Sequence, residues 1–176
     1  NPLTLPSQPL KVVTGGHMAI RLHTFFANVA KARREVLEGK SYLVAPIVMI
    51  VQGVHAANEG PVYYSEAVLK KTAPLWDKKP ITVYHPQING EYVSASEPAL
   101  QGKRTIGFLQ NSSYDKNSVA EGWFDEEKTK AVDPRVYAAV ESGSEIEVST
   151  GMFGEMADVK GVFNGVAYTK EALELY

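Results

Sequence analysis

Ser149 has the side chain and the setting that best suit nucleophilic chemistry in this chain. It lies in the stretch Glu-Ile-Glu-Val-Ser-Thr-Gly that ends at Gly151. The β-branched residues of this stretch predict a strand, and the alternation along a strand puts Ser149 on the same face as Glu145 and Glu147. A rigid strand fixes the position of a hydroxyl, as a nucleophile requires. Since most strand serines only face water or hydrogen-bond to backbone, a catalytic role depends on which other groups meet Ser149.

A serine hydroxyl needs a general base, and histidine is the usual one because its pKa of about 6.5 lies near neutral pH. The chain contains four histidines, His17, His23, His55 and His85. His85 ends a predicted strand over residues 81–85, and the following Pro86 favours an extended conformation at His85 and stops the strand there. An imidazole at a strand end is well placed to face a neighbouring strand. The alternative is that it only hydrogen-bonds to a loop.

Composition and motifs exclude several other kinds of site. The formal net charge is −2 with no basic block, which argues against a general nucleic-acid binder because phosphate contacts need clustered Lys and Arg. There are no cysteines, so the chain has neither disulfides nor thiolate metal sites. It also lacks a His-x-x-x-His pair, a glycine-rich phosphate loop and a Gly-x-Ser-x-Gly elbow. We therefore predict a function that uses neither a metal nor a cofactor.

Length and composition predict one packed domain after a short arm. The 176 residues are enough for a single hydrophobic core. Residues 1–16 carry three prolines and a Gly-Gly pair, so we expect a flexible arm or linker there and a single domain over residues 17–176. Because the chain begins at Asn1, we interpret it as a piece of a longer product. The longest apolar run, residues 42–51, is too short to span a bilayer, so no membrane association is predicted.

Turn residues and periodicity predict a β-rich domain. Hairpins are expected over residues 33–51, 104–125 and 159–168. Residues 17–29 fit either a helix or a strand, and residues 52–61 are expected to form a loop. Helices are expected over residues 66–75, 134–142 and 170–176. The predicted fold is a β-rich α+β domain, a closed or partly closed antiparallel β-barrel with two or three peripheral helices.

Six motifs, taken in order, resemble a tailed-phage protein family with a proposed prohead-protease role. They are Tyr42-Leu43-Val44-Ala45-Pro46, Gly60-Pro61-Val62-Tyr63-Tyr64, Lys79-Pro80-Ile81-Thr82-Val83-Tyr84-His85-Pro86, Ile106-Gly107, Glu121-Gly122-Trp123-Phe124-Asp125, and the stretch from Glu145 to Gly151. That family is similar to the capsid maturation serine proteases of phages, whose fold is shared with the herpesvirus assemblin proteases. The resemblance covers about residues 33–176.

The resemblance implies a serine endopeptidase that cleaves scaffold and capsid proteins during prohead maturation. Ser149 matches the family's nucleophile and His85 its general base. Gly107 lies on a strand expected to pass close to His85, where a missing side chain would leave room for the imidazole or the substrate. Gly151 or a nearby backbone N–H is a candidate for holding the oxyanion.

The resemblance also implies partners and a location. The substrates would be the phage scaffold protein and the major capsid protein, and the site of action would be the prohead interior in the host bacterial cytoplasm. Self-association is expected by analogy, because assemblin-like relatives often act as dimers.

The third catalytic group is where this chain departs from the family. In related proteases a histidine or carboxylate on the strand after the nucleophile strand orients the base, and members of the phage family tend to carry an Asp-His pair beyond the point where this chain stops. No histidine follows His85 here. Glu147 shares the predicted strand face of Ser149 and is our choice, with Asp158 and Glu174 as alternatives. The second hypothesis is therefore a catalytically inactive capsid- or scaffold-associated domain that keeps the protease fold.

Overall fold

The computed structural model describes most of the chain after its first twenty residues. The described ranges are 21–27, 32–57, 60–84, 86–97, 104–144, 146–152 and 154–175. For residues 21–27, 92, 147–149 and 151–152 the description is limited to the backbone. The predicted arm and His17 lie outside the described residues.

Strands dominate the described part of the chain. They are β1 Arg21–Ala27, β2 Arg33–Leu37, β3 Lys40–Ile50, β4 Gly53–His55, β5 Val62–Tyr64, β6 Pro80–Thr82, β7 Gln87–Ile88, β8 Glu91–Tyr92, β9 Thr105–Asp115, β10 Asn117–Asp125, β11 Ile146–Met152, β12 Gly154–Ala157, β13 Gly161–Phe163, β14 Val166–Tyr168 and β15 Lys170–Leu175. The helices are α1 Glu66–Thr72, α2 Glu126–Val132 and α3 Pro134–Ser142, and one 3-10 turn covers Ala73–Trp76. None of the described helices has both the length and the apolar character that crossing a bilayer requires.

The strands form separate sheets. The largest has the order β2-β3-β10-β9-β6, with antiparallel neighbours throughout. A second sheet has the order β12-β15-β5-β4, and two-stranded pairs join β1 to β11, β7 to β8 and β13 to β14. The prediction of a β-rich α+β domain with peripheral helices is therefore confirmed. The predicted barrel is not, because none of the sheets closes on itself within the described residues; β2 and β6 remain the edges of the largest one.

The hairpin of β2 and β3 follows from its turn residues. Glu38 has φ of 49° and Gly39 has φ of 76°, and two successive positive φ values match the right-handed twist of the strands they join. Asn164 and Gly165 make a similar turn between β13 and β14, with φ of 48° and 77°. Both hairpins were predicted from these residues, and both are confirmed.

Strand β3 is buried along most of its length. Leu43, Ala45, Ile47 and Met49 alternate along the strand and are each at most 4% exposed within the main core. The intervening Tyr42 packs edge-on against Phe108 and Trp123, with ring centroids 5.7 and 5.8 Å away. A strand with two apolar faces must be covered on both of them, so β3 determines where the remaining layers lie.

Residues 170–175 form a strand, whereas a helix was predicted over residues 170–176. Ala172 and Leu175 are both buried, a spacing that is typical of one helix face. In the structure this spacing arises from a bulge, because Met156 pairs with Ala172 and Glu155 with Glu174, which leaves Leu173 as an extra, exposed residue. The bulge breaks the two-residue alternation and so makes a strand resemble a helix in sequence.

Side-chain caps fix the beginnings of the helices. The amide of Val68 donates to Oγ of Ser65 at 3.3 Å, and the amide of Arg135 donates to Oδ1 of Asp133 at 3.0 Å, so the predicted starts of α1 and α3 are confirmed. Helix α2 was not predicted. Its cap, Asp125, also ends the alternating pattern of β10 and therefore gave no separate signal in the sequence.

A polar network joins the β2–β3 hairpin to α2 and α3. The carboxylate of Glu126 is nearly buried and accepts hydrogen bonds from the hydroxyls of Ser41 and Tyr137, the latter at 2.8 Å. Arg34 on β2 ion-pairs with both Glu126 and Glu141. The Ser41 hydroxyl, and then Tyr137 and Arg34, hold the pKa of Glu126 below its ordinary value. The ionised form of Glu126 therefore stabilises the packing of the helices on the hairpin.

This network predicts a loss of stability in acid. A depressed pKa contributes stability that is present at neutral pH and is lost as the folded form takes up a proton below the ordinary glutamate pKa of about 4.3. We expect the chemical-denaturation midpoint of the parent to fall more steeply between pH 5 and pH 3 than that of Glu126→Gln. Glu127→Gln, one residue along on the exposed side of α2, is the matched control. Identical pH slopes for the parent and Glu126→Gln would contradict the role of the network.

Gly107 is required by the packing of the sheet. It pairs with Ile81 on β6 and with Phe124 on β10, and a Cβ built there would lie 1.9 Å from the carbonyl oxygen of Trp123. The expectation that Gly107 leaves room for an imidazole or a substrate therefore does not explain why this position is a glycine. The space beside it is occupied by the backbone of β10.

Gly107→Ala is expected to destabilise the domain by about 1–3 kcal/mol or more, because the obstructing atoms are backbone and cannot rotate away. The comparison variant is Gly39→Ala, where the Cβ meets nothing within 4 Å and only the positive φ costs roughly 1–2 kcal/mol. Urea unfolding of both variants measures the difference. A smaller loss for Gly107→Ala than for Gly39→Ala would contradict this explanation.

Candidate functional site

The backbone of the predicted nucleophile strand is paired along its whole length. Strand β11 pairs antiparallel with β1, with Ser149 opposite Thr24 and Thr150 opposite His23. The ambiguous segment 17–29 therefore contains a strand, and that strand forms a two-stranded sheet with β11. A residue held by ladder hydrogen bonds has a defined backbone position, which the proposed role of Ser149 needs.

Thr150, the next residue after Ser149, anchors β11 to the main sheet. It is 2% exposed, and its hydroxyl donates to the carbonyl oxygen of Met49 on β3 at 3.4 Å. Met49 is the extra residue of a bulge, because Val119 pairs with Val48 while Ser118 pairs with Ile50. The extra residue of a bulge is left out of the regular ladder. The Met49 carbonyl can therefore accept a hydrogen bond from the neighbouring layer.

The segment that leads to His85 leaves the sheet earlier than predicted. Strand β6 ends at Thr82, three residues before His85, so the expectation that His85 itself ends the strand is wrong. The reason lies at Tyr84, whose φ of 64° takes the chain out of the extended conformation. A tyrosine in this region costs free energy unless its surroundings hold it there, and such residues cluster at functional sites.

Two side chains contact Tyr84. The hydroxyl of Thr82 donates to the Tyr84 carbonyl at 3.0 Å, and the guanidinium of Arg104 lies 6.0 Å from the centre of the Tyr84 ring. Contacts from Thr82 and Arg104 thus stabilise the unusual backbone conformation of Tyr84.

Arg135 is itself held by Asp133, the cap of α3. Its Nε and Nη2 donate to Oδ1 and Oδ2 of Asp133 at 3.0 and 2.8 Å. Asp133 and then Tyr84 raise the pKa of Arg135, and Arg135 lowers the pKa of Asp133. Helix α3 ends at Gly143, in the left-handed conformation with φ of 70°, and β11 begins three residues later. Asp133 also lines a groove together with Val83 and Tyr84, so the start of α3 lies beside the segment before His85, and its end leads to the strand of Ser149.

An open groove of about 560 Å³ lies against Tyr84. It is lined by Val83, Tyr84, Arg104, Thr105, Lys128, Ala131, Val132 and Asp133. Its size is within the range of ligand-binding clefts. It borders the chain immediately before His85, which makes it a candidate for part of a substrate-binding surface.

The residues of the predicted catalytic set are only partly described. His85 lies outside the described residues, and Ser149, Glu147 and Gly151 are described through the pairing of their backbones. In that register Thr24 lies opposite Ser149, whereas His23 lies opposite the buried Thr150. Glu147 lies two residues before Ser149 on the same strand.

The alternative candidates have other contacts. Asp158 is paired with Lys170, and Glu174 accepts a hydrogen bond from Lys71 at 2.9 Å. His55 is on β4 rather than in a loop, and its Nε2 lies 2.5 Å from the carbonyl oxygen of Val51. These contacts give Asp158, Glu174 and His55 structural roles at the surface and in the second sheet.

Sequence reasoning did not find Tyr84, Arg135 or Arg104. Tyr84 carried one signal, its place directly before His85 and Pro86, but a positive φ at tyrosine is not readable from residue type. Within the described residues, His, Asp and Glu form no cluster of three or more that could hold a metal ion.

No protein-family model and no curated protein sequence matches this chain. Among solved structures, the chain is similar to the capsid assembly protease gp21 of bacteriophage T4. The TM-score is 0.55 at 14% sequence identity, and the match covers 88% of this chain and 90% of the T4 protein. At this identity the likeness concerns the fold. The chain therefore shares its fold with a phage capsid assembly protease.

Proposed function

We propose that this protein is a serine endopeptidase that cleaves scaffold and capsid proteins inside a maturing phage prohead. The observation that carries the proposal is the fold shared with the T4 capsid assembly protease over 88% of the chain. The pairing of the Ser149 strand supports it, because the backbone of the nucleophile is fixed by β1 and its neighbour Thr150 is tied to β3. The substrates are the phage scaffold protein and the major capsid protein.

The mechanism begins with a proton transfer from Ser149 to His85. The Oγ of Ser149 attacks the carbonyl carbon of the scissile peptide while the imidazole takes its proton. The tetrahedral intermediate collapses as the imidazolium donates that proton to the leaving amine, which gives an acyl-enzyme. Water, deprotonated by the same imidazole, hydrolyses the ester and restores Ser149. A backbone N–H at or near Gly151 holds the oxyanion.

Glu147 is the proposed partner of the other imidazole nitrogen. Residues i and i+2 of a strand lie about 6.8 Å apart, and an imidazole with a hydrogen bond of about 2.8 Å at each nitrogen spans a comparable distance. A carboxylate two residues from the nucleophile can therefore orient a base that reaches over the strand. Asp158 and Glu174 fit this role less well because lysines already hold them.

A structural domain without catalytic activity is the second candidate. One observation favours it, namely that the carboxylates downstream of β11 at positions 158 and 174 are engaged in ion pairs. In that case the domain would bind scaffold or capsid protein without cutting it. The substitutions below separate the two functions.

Ser149→Ala and His85→Ala are each expected to abolish cleavage of the scaffold protein by at least a thousandfold, since a triad member removed alone leaves only residual catalysis. Gel analysis of scaffold processing measures the loss. An alkyl fluorophosphonate should label the parent at Ser149, as located by peptide mass spectrometry. The rate constant kcat/KM should rise with pH through the His85 pKa, ordinarily about 6.5.

Two variants serve as controls for this experiment. Ser113→Ala changes an exposed serine of strand β9, and His23→Ala changes the histidine opposite Thr150. Both should process the scaffold like the parent. Unchanged processing by both Ser149→Ala and His85→Ala would refute the proposed protease, whereas loss of processing in Ser149→Ala and His23→Ala but not in His85→Ala would identify His23 as the base.

Glu147→Gln is expected to lower kcat by up to about ten-thousandfold, because an amide stabilises the wrong imidazole tautomer and leaves the imidazolium uncompensated. Asp158→Asn and Glu174→Gln should stay within about twofold of the parent, as expected for exposed ion pairs of small net value. Steady-state cleavage of a scaffold-derived peptide compares all three. If Asp158→Asn or Glu174→Gln is the inactive variant, the orienting role belongs to that residue instead.

A further inference from the structure

Two Asn-Gly steps lie at the tips of hairpins in this domain. Asn89-Gly90 joins β7 to β8, and Asn164-Gly165 joins β13 to β14. Their φ values are 52° and 81° in the first turn and 48° and 77° in the second, so both turns have the same left-handed conformation. All four residues are exposed to solvent. The two asparagines therefore share their following residue, their turn conformation and their access to water, and they differ in what holds their hairpins closed.

An asparagine before a glycine can lose its side-chain amide without an enzyme. The backbone nitrogen of the glycine attacks Cγ of the asparagine, the new C–N bond closes a five-membered imide, and the side-chain amide leaves as ammonia with the proton of the glycine N–H. Water then opens the imide at either carbonyl and gives aspartate or isoaspartate. Glycine favours this reaction because it has no side chain to keep its nitrogen away from the asparagine. Since the asparagine must rotate about its Cα–C bond and leave the turn conformation, the rate depends on how often the hairpin opens.

Aromatic contacts hold the β13–β14 hairpin closed. The hairpin has three residue pairs, and the ring of Tyr63 on β5 lies 4.8 Å from that of Phe163 and 4.9 Å from that of Tyr168, measured between centroids. Gly161 lies directly against the Tyr168 ring, since a Cβ there would be 2.4 Å from Cζ. Phe163 and Tyr168 belong to different strands, so opening the Asn164 turn separates aromatic contacts in both of them.

The β7–β8 hairpin has fewer contacts to hold it. Its strands have two residues each and form two pairs, and Ile88 and Glu91, which flank the turn, are exposed. A backbone hydrogen bond from the Val93 amide to the Pro86 carbonyl, at 3.0 Å, closes its base. A two-stranded hairpin without such packing is marginally stable in water, so the Asn89 turn opens more often.

We propose that Asn89 is a site of spontaneous deamidation in this protein, and that the contacts of Tyr63 protect Asn164 from the same reaction. The inference does not depend on the proposed protease function. Each event at Asn89 makes the formal net charge of −2 more negative by one unit. The isoaspartate product also adds a CH2 group to the main chain at the tip of the hairpin that follows position 85.

Peptide mapping by mass spectrometry tests the proposal on the purified full chain. The chain is incubated in mildly alkaline buffer, the amide-to-acid mass gain is followed at both positions, and isoaspartate is identified with a methyltransferase specific for it. Asn89 should be modified at least about tenfold faster than Asn164, because the aromatic contacts of Tyr63 must break before Asn164 can react. Asn89→Gln should remove the signal at position 89. Equal rates, or a faster reaction at Asn164, would overturn the proposal.

A measurement on the unfolded chain separates the effect of the fold from that of neighbouring residues. In urea, where neither hairpin is formed, the two asparagines should react at rates within about twofold of each other. A difference that persisted in urea would assign the contrast to the local sequence, and the protection by the hairpin would be refuted.

Two variants of Tyr63 test which contact protects Asn164. Tyr63→Leu removes the ring and should raise the rate at Asn164 by about tenfold, while the rate at Asn89 stays at the parent value. Tyr63→Phe keeps the ring and is the matched control, with parent rates at both positions. An unchanged rate at Asn164 in folded Tyr63→Leu would contradict the protective role of Tyr63. If Tyr63→Leu does not fold, the comparison of the parent with and without urea decides the proposal.

Discussion

The arrangement of this domain depends on the burial of strand β3 on both of its faces. Of its eleven residues, Leu43 and Ala45 on one face and Val44 on the other are each at most 1% exposed. No single layer can cover such a strand, so β2 and β10 flank it within the sheet while α2, α3, β1 and β11 pack on it. The Ser149 strand, β11, is one of the elements that cover β3. The hydrogen bond from the Thr150 hydroxyl to the Met49 carbonyl joins β11 to β3.

The second constraint is the connection between helix α3 and the chain before His85. Asp133 caps the helix and also holds Arg135, and it lines one groove with Val83 and Tyr84. A residue in a strained conformation beside a candidate catalytic residue is therefore supported by side chains, and not by the sheet that ended at Thr82.

The sequence predicted correctly those hairpins and helix starts that turn residues and capping residues determine. Turn residues such as Glu38-Gly39 identified hairpins, and capping residues such as Ser65 and Asp133 identified the starts of helices. Prediction failed where a tertiary feature altered the local pattern. The bulge at Leu173 gave a strand the burial spacing of a helix, and Asp125 served two elements at once, so that α2 was missed.

The candidate site was also predictable only where local sequence patterns determine it. A serine on an alternating strand can be found from sequence, and the structure places that strand in a ladder with β1. That residues as distant as Tyr84 and Asp133 line one groove depends on how α3 lies on the sheets, which no local pattern encodes. Catalytic roles for Ser149, His85 and Glu147 remain predictions that the substitutions can decide.

The bulge at Met49 has a consequence for how this protein can change over evolutionary time. Beyond an extra residue, the side chains of a strand exchange faces, which is why Met49 and Ile50 are both buried while Val51 is exposed. Deleting one residue from this end of β3 would remove the bulge, so that no carbonyl at this point is left out of the ladder with β10. Thr150 would then lose its acceptor. The number of residues in β3 therefore matters to the attachment of the strand that carries Ser149, and not only their hydrophobicity.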